Sequence, residues 1–63
     1  GPGHIFNYKQ IGEACYYLDK LDKAEESLLK AIRISNEIGY SSGIEDIYDL
    51  LSSVYEEKKD YKR

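Results

Sequence analysis

The chain has 63 residues, of which 41% are hydrophobic and 33% are charged. This length allows one small domain with a marginal core, and this composition excludes a disordered low-complexity chain. Nine basic and twelve acidic residues give a net charge of −3, which disfavours nucleic-acid binding because compact nucleic-acid binders are usually basic. The single cysteine cannot form an internal disulfide, which excludes a small secreted protein held together by disulfides.

No targeting or membrane-spanning pattern is visible in the sequence. No apolar run approaches the roughly 20 residues that span a bilayer, and there is no signal-peptide pattern. We therefore expect no membrane association and a cytoplasmic location. Residues 1–4, with the letters GPGH, are interpreted as a scar left by protease cleavage, which makes the rest of the chain a trimmed fragment.

The first helix is predicted from about Ile5 to Leu18. The helical spacing of apolar residues is interrupted at residues 19–22, which predicts a short turn after this helix. The expected core face consists of apolar residues at helical spacing: Tyr8, Ile11, Ala14, Cys15 and Leu18.

The second helix is predicted from about Lys23 to Ile38. Asp22, followed three residues later by Glu25, is a capping-box pattern at its start, and Gly39 stands where a C-cap glycine is typical. The expected core face consists of small and aliphatic residues: Ala24, Leu28, Leu29, Ala31, Ile32, Ile34 and Ile38.

The third helix is predicted from about Gly43 to Tyr61, opened by a second capping-box pattern at Ser42 and Glu45. Since no segment alternates apolar and polar residues as a strand does, the predicted fold class is all-α, an antiparallel helical hairpin followed by a third helix. The expected core face of the third helix is Ile44, Ile47, Tyr48, Leu51, Val54, Tyr55 and Lys58.

The first and third helices are related by a shift of 40 residues, and this shift retains the pattern of size and polarity. A two-helix period of about 34–40 residues is typical of helical solenoids. The aligned pairs are Tyr8 with Tyr48, Ile11 with Leu51, Gly12 with Ser52, Ala14 with Val54, and Cys15 with Tyr55.

Around Gly12 the sequence resembles the tetratricopeptide repeat (TPR). The TPR pattern has an aromatic residue, Leu-Gly and Tyr in the first helix, and Ala, an aromatic residue and later Pro in the second. Cys15 replaces the usual tyrosine, Ser52 the second glycine, and Asn36 the proline. The residues that carry the resemblance are Tyr8, Ile11, Gly12, Ala24, Leu28 and Ala31.

The resemblance implies one and a half repeats of a longer TPR variant. Residues 5–40 would form the first helix pair, and residues 41–63 the first helix of a second, truncated repeat. Gly12 would let the two helices of the pair approach closely, and Ala24 and Ala31 would be small where helices cross.

In TPR proteins the first helices of successive repeats line a concave groove, so the resemblance implies a non-catalytic scaffold that binds a peptide or partner helix. The groove residues on the third helix are mostly acidic, and no lysine or arginine lies four residues from Asp46, Asp49 or Glu56 to neutralise them. We expect a partner with apolar and basic side chains; a merely solvated acidic face is the alternative. The groove residues would be Phe6, Lys9, Glu13, Tyr16 and Tyr17, with Asp46, Asp49, Ser53, Glu56 and Glu57.

TPR domains that read chaperone tails hold a C-terminal carboxylate with lysine and asparagine side chains. Lys9 matches one of these positions, but Glu13 and Ser53 replace the expected asparagines. We therefore expect no carboxylate clamp in this chain.

Self-association is the alternative function. About three repeats are normally needed for stability, and the second repeat lacks its second helix. Leu50, Leu51, Val54 and Tyr61 would then lack a covering partner, which predicts a homo-oligomer. An engineered mini-repeat without a ligand is a third interpretation. The Glu-Ile-Gly end of the second helix resembles repeats of bacterial sensor and regulatory proteins, which implies a signalling parent protein.

No residue pattern indicates catalysis, a metal site or a cofactor. Cys15 lies on the expected core face, and the only histidine is His4, so neither a nucleophile–base pair nor a zinc site is expected. Neither a glycine-rich phosphate loop nor calcium-loop spacing is present. The tyrosines expected to make partner contacts are Tyr16, Tyr17 and Tyr40.

Overall fold

The computed structural model describes residues 2–61, with the backbone alone for Tyr61. It contains α1 (Pro2–Tyr17), α2 (Leu21–Ile38) and α3 (Ile44–Tyr61). No strand occurs among these residues, so the predicted all-α fold class is confirmed. Residues 2–4, part of the interpreted scar, belong to α1.

A tight turn with no glycine joins α1 to α2. Asp19 has φ 63°, and its N–H bonds to the Tyr16 carbonyl at 3.0 Å while the Lys20 N–H bonds to the Cys15 carbonyl at 2.8 Å. This is the Schellman pattern of a helix C-terminus, with aspartate in the left-handed position. α2 follows at once from Lys20, which makes no side-chain cap bond. The capping box predicted at Asp22 is therefore wrong.

The turn from α2 to α3 uses the glycine that the sequence indicates. Gly39 has φ 68° and ψ 26°, so the predicted C-cap is confirmed. The Tyr40 N–H bonds to the Ser35 carbonyl at 3.0 Å, and the Ser35 hydroxyl donates to the Tyr40 carbonyl. Gly43, which directly precedes α3, has φ 77° and occupies the N-cap position. Ser42 lies one residue before it, so the capping box predicted at Ser42 and Glu45 is wrong.

α2 is the central element of the fold. It packs against both α1 and α3, which make few contacts with each other. Each short turn reverses the chain, so α1 and α3 run parallel to each other and antiparallel to α2. Five of the nine core residues come from α2: the core is Ile5, Leu21, Ala24, Leu28, Ala31, Ile32, Ile47, Leu51 and Val54.

Gly12 is the point of closest approach between α1 and α2. A Cβ atom at this position would lie 2.7 Å from both Cγ and Cδ2 of Leu28, and 3.4 Å from the Ala24 carbonyl oxygen. Leu28 and Ala24 are completely buried. The predicted role of Gly12 in close helix packing is confirmed, because any side chain here would occupy the space that Leu28 fills.

The predicted core face of α1 is partly wrong. Ile11 is 49% exposed and Leu18 is 67% exposed, whereas Ile5 is buried. Tyr8 and Cys15 pack at the margin of the core. The cause is that α1 has only α2 on this side, so one helix cannot cover the whole apolar stripe. The other predicted core residues that are exposed are Ala14, Leu29, Ile38, Tyr48 and Tyr55.

The prediction that four apolar residues of α3 lack a covering partner is also wrong for two of them. Leu51 is 6% exposed and Val54 is fully buried, because both lie against α2. Leu50 is half-buried, and the side chain of Tyr61 lies outside the described residues. The exposed apolar residues of α3 are instead Tyr48 and Tyr55.

Burial in α1 and α3 is complementary under the shift of 40 residues. Each helix presents to α2 the face that the other helix leaves exposed, because α1 and α3 lie on different flanks of α2. The pairs that show this are buried Gly12 with exposed Ser52, exposed Ile11 with buried Leu51, and exposed Ala14 with buried Val54.

Lys58, near the end of α3, forms ion pairs with two carboxylates near the start of α2. Its Nζ lies 2.8 Å from Oδ1 of Asp22 and 2.6 Å from Oε1 of Glu25. The hydrogen bond from Lys58 lowers the pKa of Glu25, and a hydrogen bond with Tyr55 lowers it further. The hydrogen bonds to Asp22 and Glu25 raise the pKa of Lys58.

We expect Lys58→Met to lower the free energy of unfolding modestly at pH 7, and the loss to vanish in acid. A lowered carboxyl pKa contributes stability above its unfolded value, and this contribution disappears as the pH falls through the folded value. Urea unfolding at pH 7 and near pH 3 measures the difference. Lys59→Met is the control, since Lys59 pairs only across one turn with Glu56 at 3.7 Å. An equal loss at both pH values would contradict an electrostatic role.

Candidate functional site

A shallow groove lies between the parallel helices α1 and α3, which make few contacts with each other. Lys9 Nζ on α1 lies 3.7 Å from Oδ2 of Asp46 on α3 and bridges the groove. This ion pair joins the two sets of residues predicted to face a partner. We call this surface the α1–α3 groove and define it by this ion pair and by the predicted partner-binding residues that follow it along the two helices: Lys9, Glu13 and Tyr16 on α1, and Asp46, Asp49, Ser53 and Glu57 on α3.

Most of the predicted partner-binding residues are accessible to solvent. Phe6 is 59% exposed and Tyr17 is 76% exposed, and eleven residues of helix place them about 16 Å apart. The Tyr16 and Tyr17 rings meet edge to face, with centroids 5.3 Å apart. The exposed members are Phe6, Glu13, Tyr17, Asp46, Asp49, Glu56 and Glu57; Lys9, Tyr16 and Ser53 are half-buried.

The acidic row on α3 is partly neutralised, contrary to the sequence expectation. Asp46 pairs with Lys9 on the neighbouring helix, and Glu56 pairs with Lys59, three residues along α3. Within the described residues, no ion pair involves Asp49 or Glu57. Glu13 on α1 is likewise exposed and has no ion pair among the described residues, so the negative potential of the groove arises mainly from Glu13, Asp49 and Glu57.

A cavity of ≈ 200 Å³ opens at one end of the groove. It is smaller than the roughly 300–1,000 Å³ of typical small-molecule sites, so its size suits a single side chain. Lys9 and the ring of Phe6 lie at its edge. The cavity combines the first turns of α1 and α3 with the turn before α3, and its lining residues are Pro2, Ile5, Phe6, Lys9, Tyr40, Ser42, Gly43 and Ile47.

The sequence pattern does not indicate most of the residues that line this cavity. Phe6, Lys9 and Tyr40 were expected to make contacts, but Ile5 and Ile47 read only as apolar helix positions. They meet because α1 and α3 start at the same end of the molecule, and Tyr40 joins them through the turn fixed by Gly39. The sequence indicates Tyr40 because a tyrosine in a polar turn is expected to be exposed.

A second depression of ≈ 290 Å³ lies at the opposite end of the molecule, beside the α1–α2 turn. It is lined by Asp19, Leu21, Asp22 and Lys58. Here the Lys58 ammonium group already binds carboxylates. Among residues 2–61, no three histidine, cysteine, aspartate or glutamate side chains are arranged to hold a metal ion. Cys15 is half-buried and packs at the margin of the core.

Comparisons with protein-family models, with curated proteins and with solved structures gave no match. No helix in the described part of the chain has the length and hydropathy needed to cross a bilayer. The α1–α3 groove is the surface that combines exposed aromatic rings, a side-chain-sized cavity and unpaired carboxylates, and it is the strongest candidate for a functional site.

Proposed function

We propose that the chain is a TPR-like, non-catalytic protein-binding module whose α1–α3 groove binds an extended peptide with apolar and basic side chains. The observation that carries this proposal is the position of the cavity beside the acidic row of α3. One peptide can place an apolar side chain in the cavity and a basic side chain beside the acidic row at the same time, because the cavity and the acidic row belong to the same groove.

The packing of the hairpin supports the TPR resemblance. Gly12 meets Leu28 and Ala24, which occupy the positions that the repeat pattern reserves for close helix crossing. The complementary burial of α1 and α3 under a shift of 40 residues also suits a repeat. Each first helix would contact one second helix before it in the chain and one after it.

The cavity supports an apolar anchor on the peptide. Ile5 and Ile47 are buried and form its floor, while Phe6 and Tyr40, 59% and 40% exposed, stand at its edge. Aromatic rings of this kind supply contact area with few rotatable bonds. An aliphatic side chain in the cavity would shield these rings from water.

Asp49 and Glu57 support the basic part of the peptide. Ten residues of α3 separate the cavity residue Ile47 from Glu57, a distance of about 15 Å. An extended peptide spans this distance with about four or five residues. The preferred ligand therefore has a lysine or arginine about four or five residues from the apolar anchor. Lys9, already paired with Asp46, does not favour a carboxylate clamp.

The proposal is tested by calorimetric titration of four peptides that differ in one feature. The reference has a leucine and an arginine five residues apart. The others replace arginine with glutamate, replace leucine with alanine, or bring the two residues together. We expect the reference to bind tightest and the glutamate peptide weakest. Equal binding of the arginine and glutamate peptides, or no binding by any peptide, would contradict the proposal.

A double variant, Asp49→Lys with Glu57→Lys, isolates the contribution of the groove. We expect it to weaken binding of the reference peptide at least about fivefold, since each exposed charge pair contributes about 0.2–1 kcal/mol and reversal adds repulsion. The control is Glu26→Lys with Glu37→Lys, which reverses two exposed charges on α2 and changes the net charge by the same amount. Equal weakening in the control would show that net charge alone, not the groove, attracts the peptide.

A further inference from the structure

Two apolar helix faces outside the groove are exposed on opposite sides of the molecule. On α1 the face consists of Ile11, Ala14 and Leu18, here called the α1 end face. On α3 it consists of Tyr48, Ser52 and Tyr55, here called the α3 end face. All six residues are exposed. Leu18 directly follows the last residue of α1. The first and last residues of each set are seven positions apart, which corresponds to about two helical turns or 10.5 Å.

The two end faces point away from each other. Lys9 and Asp46 meet across the groove at 3.7 Å, and both are two residues before the first residue of an end face. Two residues correspond to a rotation of about 200° around a helix. Ile11 therefore points away from α3, and Tyr48 points away from α1.

The α1 end face carries no charge at its centre. Ile11 is 49% exposed and Leu18 is 67% exposed, and with Asn7 and Ala14 they follow a spacing of four, three and four residues along one face. Side chains of this kind gain about 25 cal/mol for each Å² of apolar surface removed from water. An exposed continuous apolar face of this kind is typical of a contact surface.

The relation between α1 and α3 identifies these faces as packing surfaces. Forty residues after Ile11 and Ala14 come Leu51 and Val54, which are buried against α2. Forty residues before Ser52 comes Gly12, which is buried against Leu28. Each exposed position thus has a counterpart in the same chain that packs on a helix. Helix packing is therefore the chemistry that both end faces favour.

The charges beside the two end faces have opposite signs. Lys30 Nζ lies 5.6 Å from the centre of the Tyr8 ring, which places it next to the α1 end face, and Lys23 lies seven residues earlier on the same side of α2. Beside the α3 end face lie Glu45 and Glu56, with one lysine, Lys59, paired to Glu56. Glu26 lies three residues after Lys23 and four before Lys30 on the same helix and is exposed, which makes it their neighbour. The α1 side thus carries two lysines and one carboxylate, and the α3 side carries two carboxylates and one lysine.

We propose that the α1 end face of one copy packs against the α3 end face of a second copy, head to tail. The aliphatic side chains of the α1 end face meet the tyrosine rings of the α3 end face over an equal length, and the net charges beside the two faces attract. Face-to-face pairing of two α1 end faces would instead bring the lysine pairs of both copies to one interface. A head-to-tail contact uses two different surfaces, so each added copy leaves one of each exposed, and assemblies grow with concentration.

The test uses two variants, each blocked at one end face. Ile11→Glu places a carboxylate on the α1 end face, and Tyr48→Glu places one on the α3 end face, so the two blocked faces repel each other in a mixture. Both positions are exposed, and helix content by circular dichroism verifies that each variant folds. The mass in solution is measured by light scattering over a concentration series. We expect the unmodified chain to form assemblies that grow with concentration. We expect each variant alone to associate at least about tenfold more weakly.

Mixing the two variants gives the decisive result. Each supplies the intact face that the other lacks, so the head-to-tail contact predicts a 1:1 heterodimer that grows no further. A chain that stays monomeric up to about 1 mM, corresponding to binding no tighter than about −4 kcal/mol, would overturn the proposal. Loss of association in only one variant, with no rescue on mixing, would also overturn it and indicate a symmetric dimer. Both substitutions lie outside the groove, so peptide binding is measured independently.

Discussion

Replacing Leu28 with alanine is expected to remove a large part of the protein's free energy of unfolding. Leu28 is completely buried at the centre of the core and contacts α1 at Gly12. Buried leucine-to-alanine changes lower the free energy of unfolding by about 2–5 kcal/mol. A chain of this length has a total of about 3–9 kcal/mol, so the loss is a large part of the whole. Urea unfolding followed by circular dichroism measures it.

The neighbouring leucine provides a matched control for this change. Leu29 is 44% exposed and belongs to the same helix, so Leu29→Ala makes the same chemical change with similar helix propensity. We expect it to alter the free energy of unfolding by less than about 1 kcal/mol. Equal losses for Leu28→Ala and Leu29→Ala would contradict the packing described for α2.

Gly12→Ala is expected to lower the free energy of unfolding by up to about 2 kcal/mol. Alanine usually stabilises a helix interior by about 1 kcal/mol relative to glycine. Here the added methyl group would lie 2.7 Å from both Cγ and Cδ2 of Leu28, and overpacking of a close-packed core costs about 1–3 kcal/mol. Since Leu28 is fully buried, it cannot move aside without displacing its neighbours, and the cost exceeds the gain.

Gly3→Ala separates the packing effect from helix propensity. Gly3 lies in α1, and no heavy atom lies within 4 Å of a Cβ built there. We expect Gly3→Ala to leave the free energy of unfolding unchanged or to raise it slightly. Thermal and urea unfolding of both variants give the comparison. If Gly12→Ala stabilised the protein as Gly3→Ala does, the close approach of α1 and α2 would be wrong.

The sequence predicts the helices and their crossing well, because these depend on local signals. Gly39 marks the end of α2, and Gly12 with Ala24 and Leu28 marks the crossing of α1 and α2. The core face of α1 was predicted less well. Its apolar stripe is wider than the part that α2 covers, and periodicity alone cannot show which edge, Ile5 or Ile11, lies against the neighbour.

The groove depends on contacts between residues far apart in sequence. The spacing of Asp46 and Asp49 indicates an acidic row, but the ion pair of Asp46 with Lys9 follows from the parallel arrangement of α1 and α3. The cavity likewise requires Ile5 and Ile47 to meet beside the α2–α3 turn. Sequence patterns place each residue on its helix face; only the packing of both helices on α2 brings them together.

Mapping the reference peptide onto the protein by backbone NMR shifts tests the central proposal most directly. Titration into the isotope-labelled chain should shift amide signals around the cavity and along the groove, at residues such as Phe6, Lys9, Asp46 and Asp49, with little change at the end faces. Shifts confined to Ile11, Leu18 or Tyr48, or no shifts at millimolar peptide, would contradict a peptide-binding function of the α1–α3 groove.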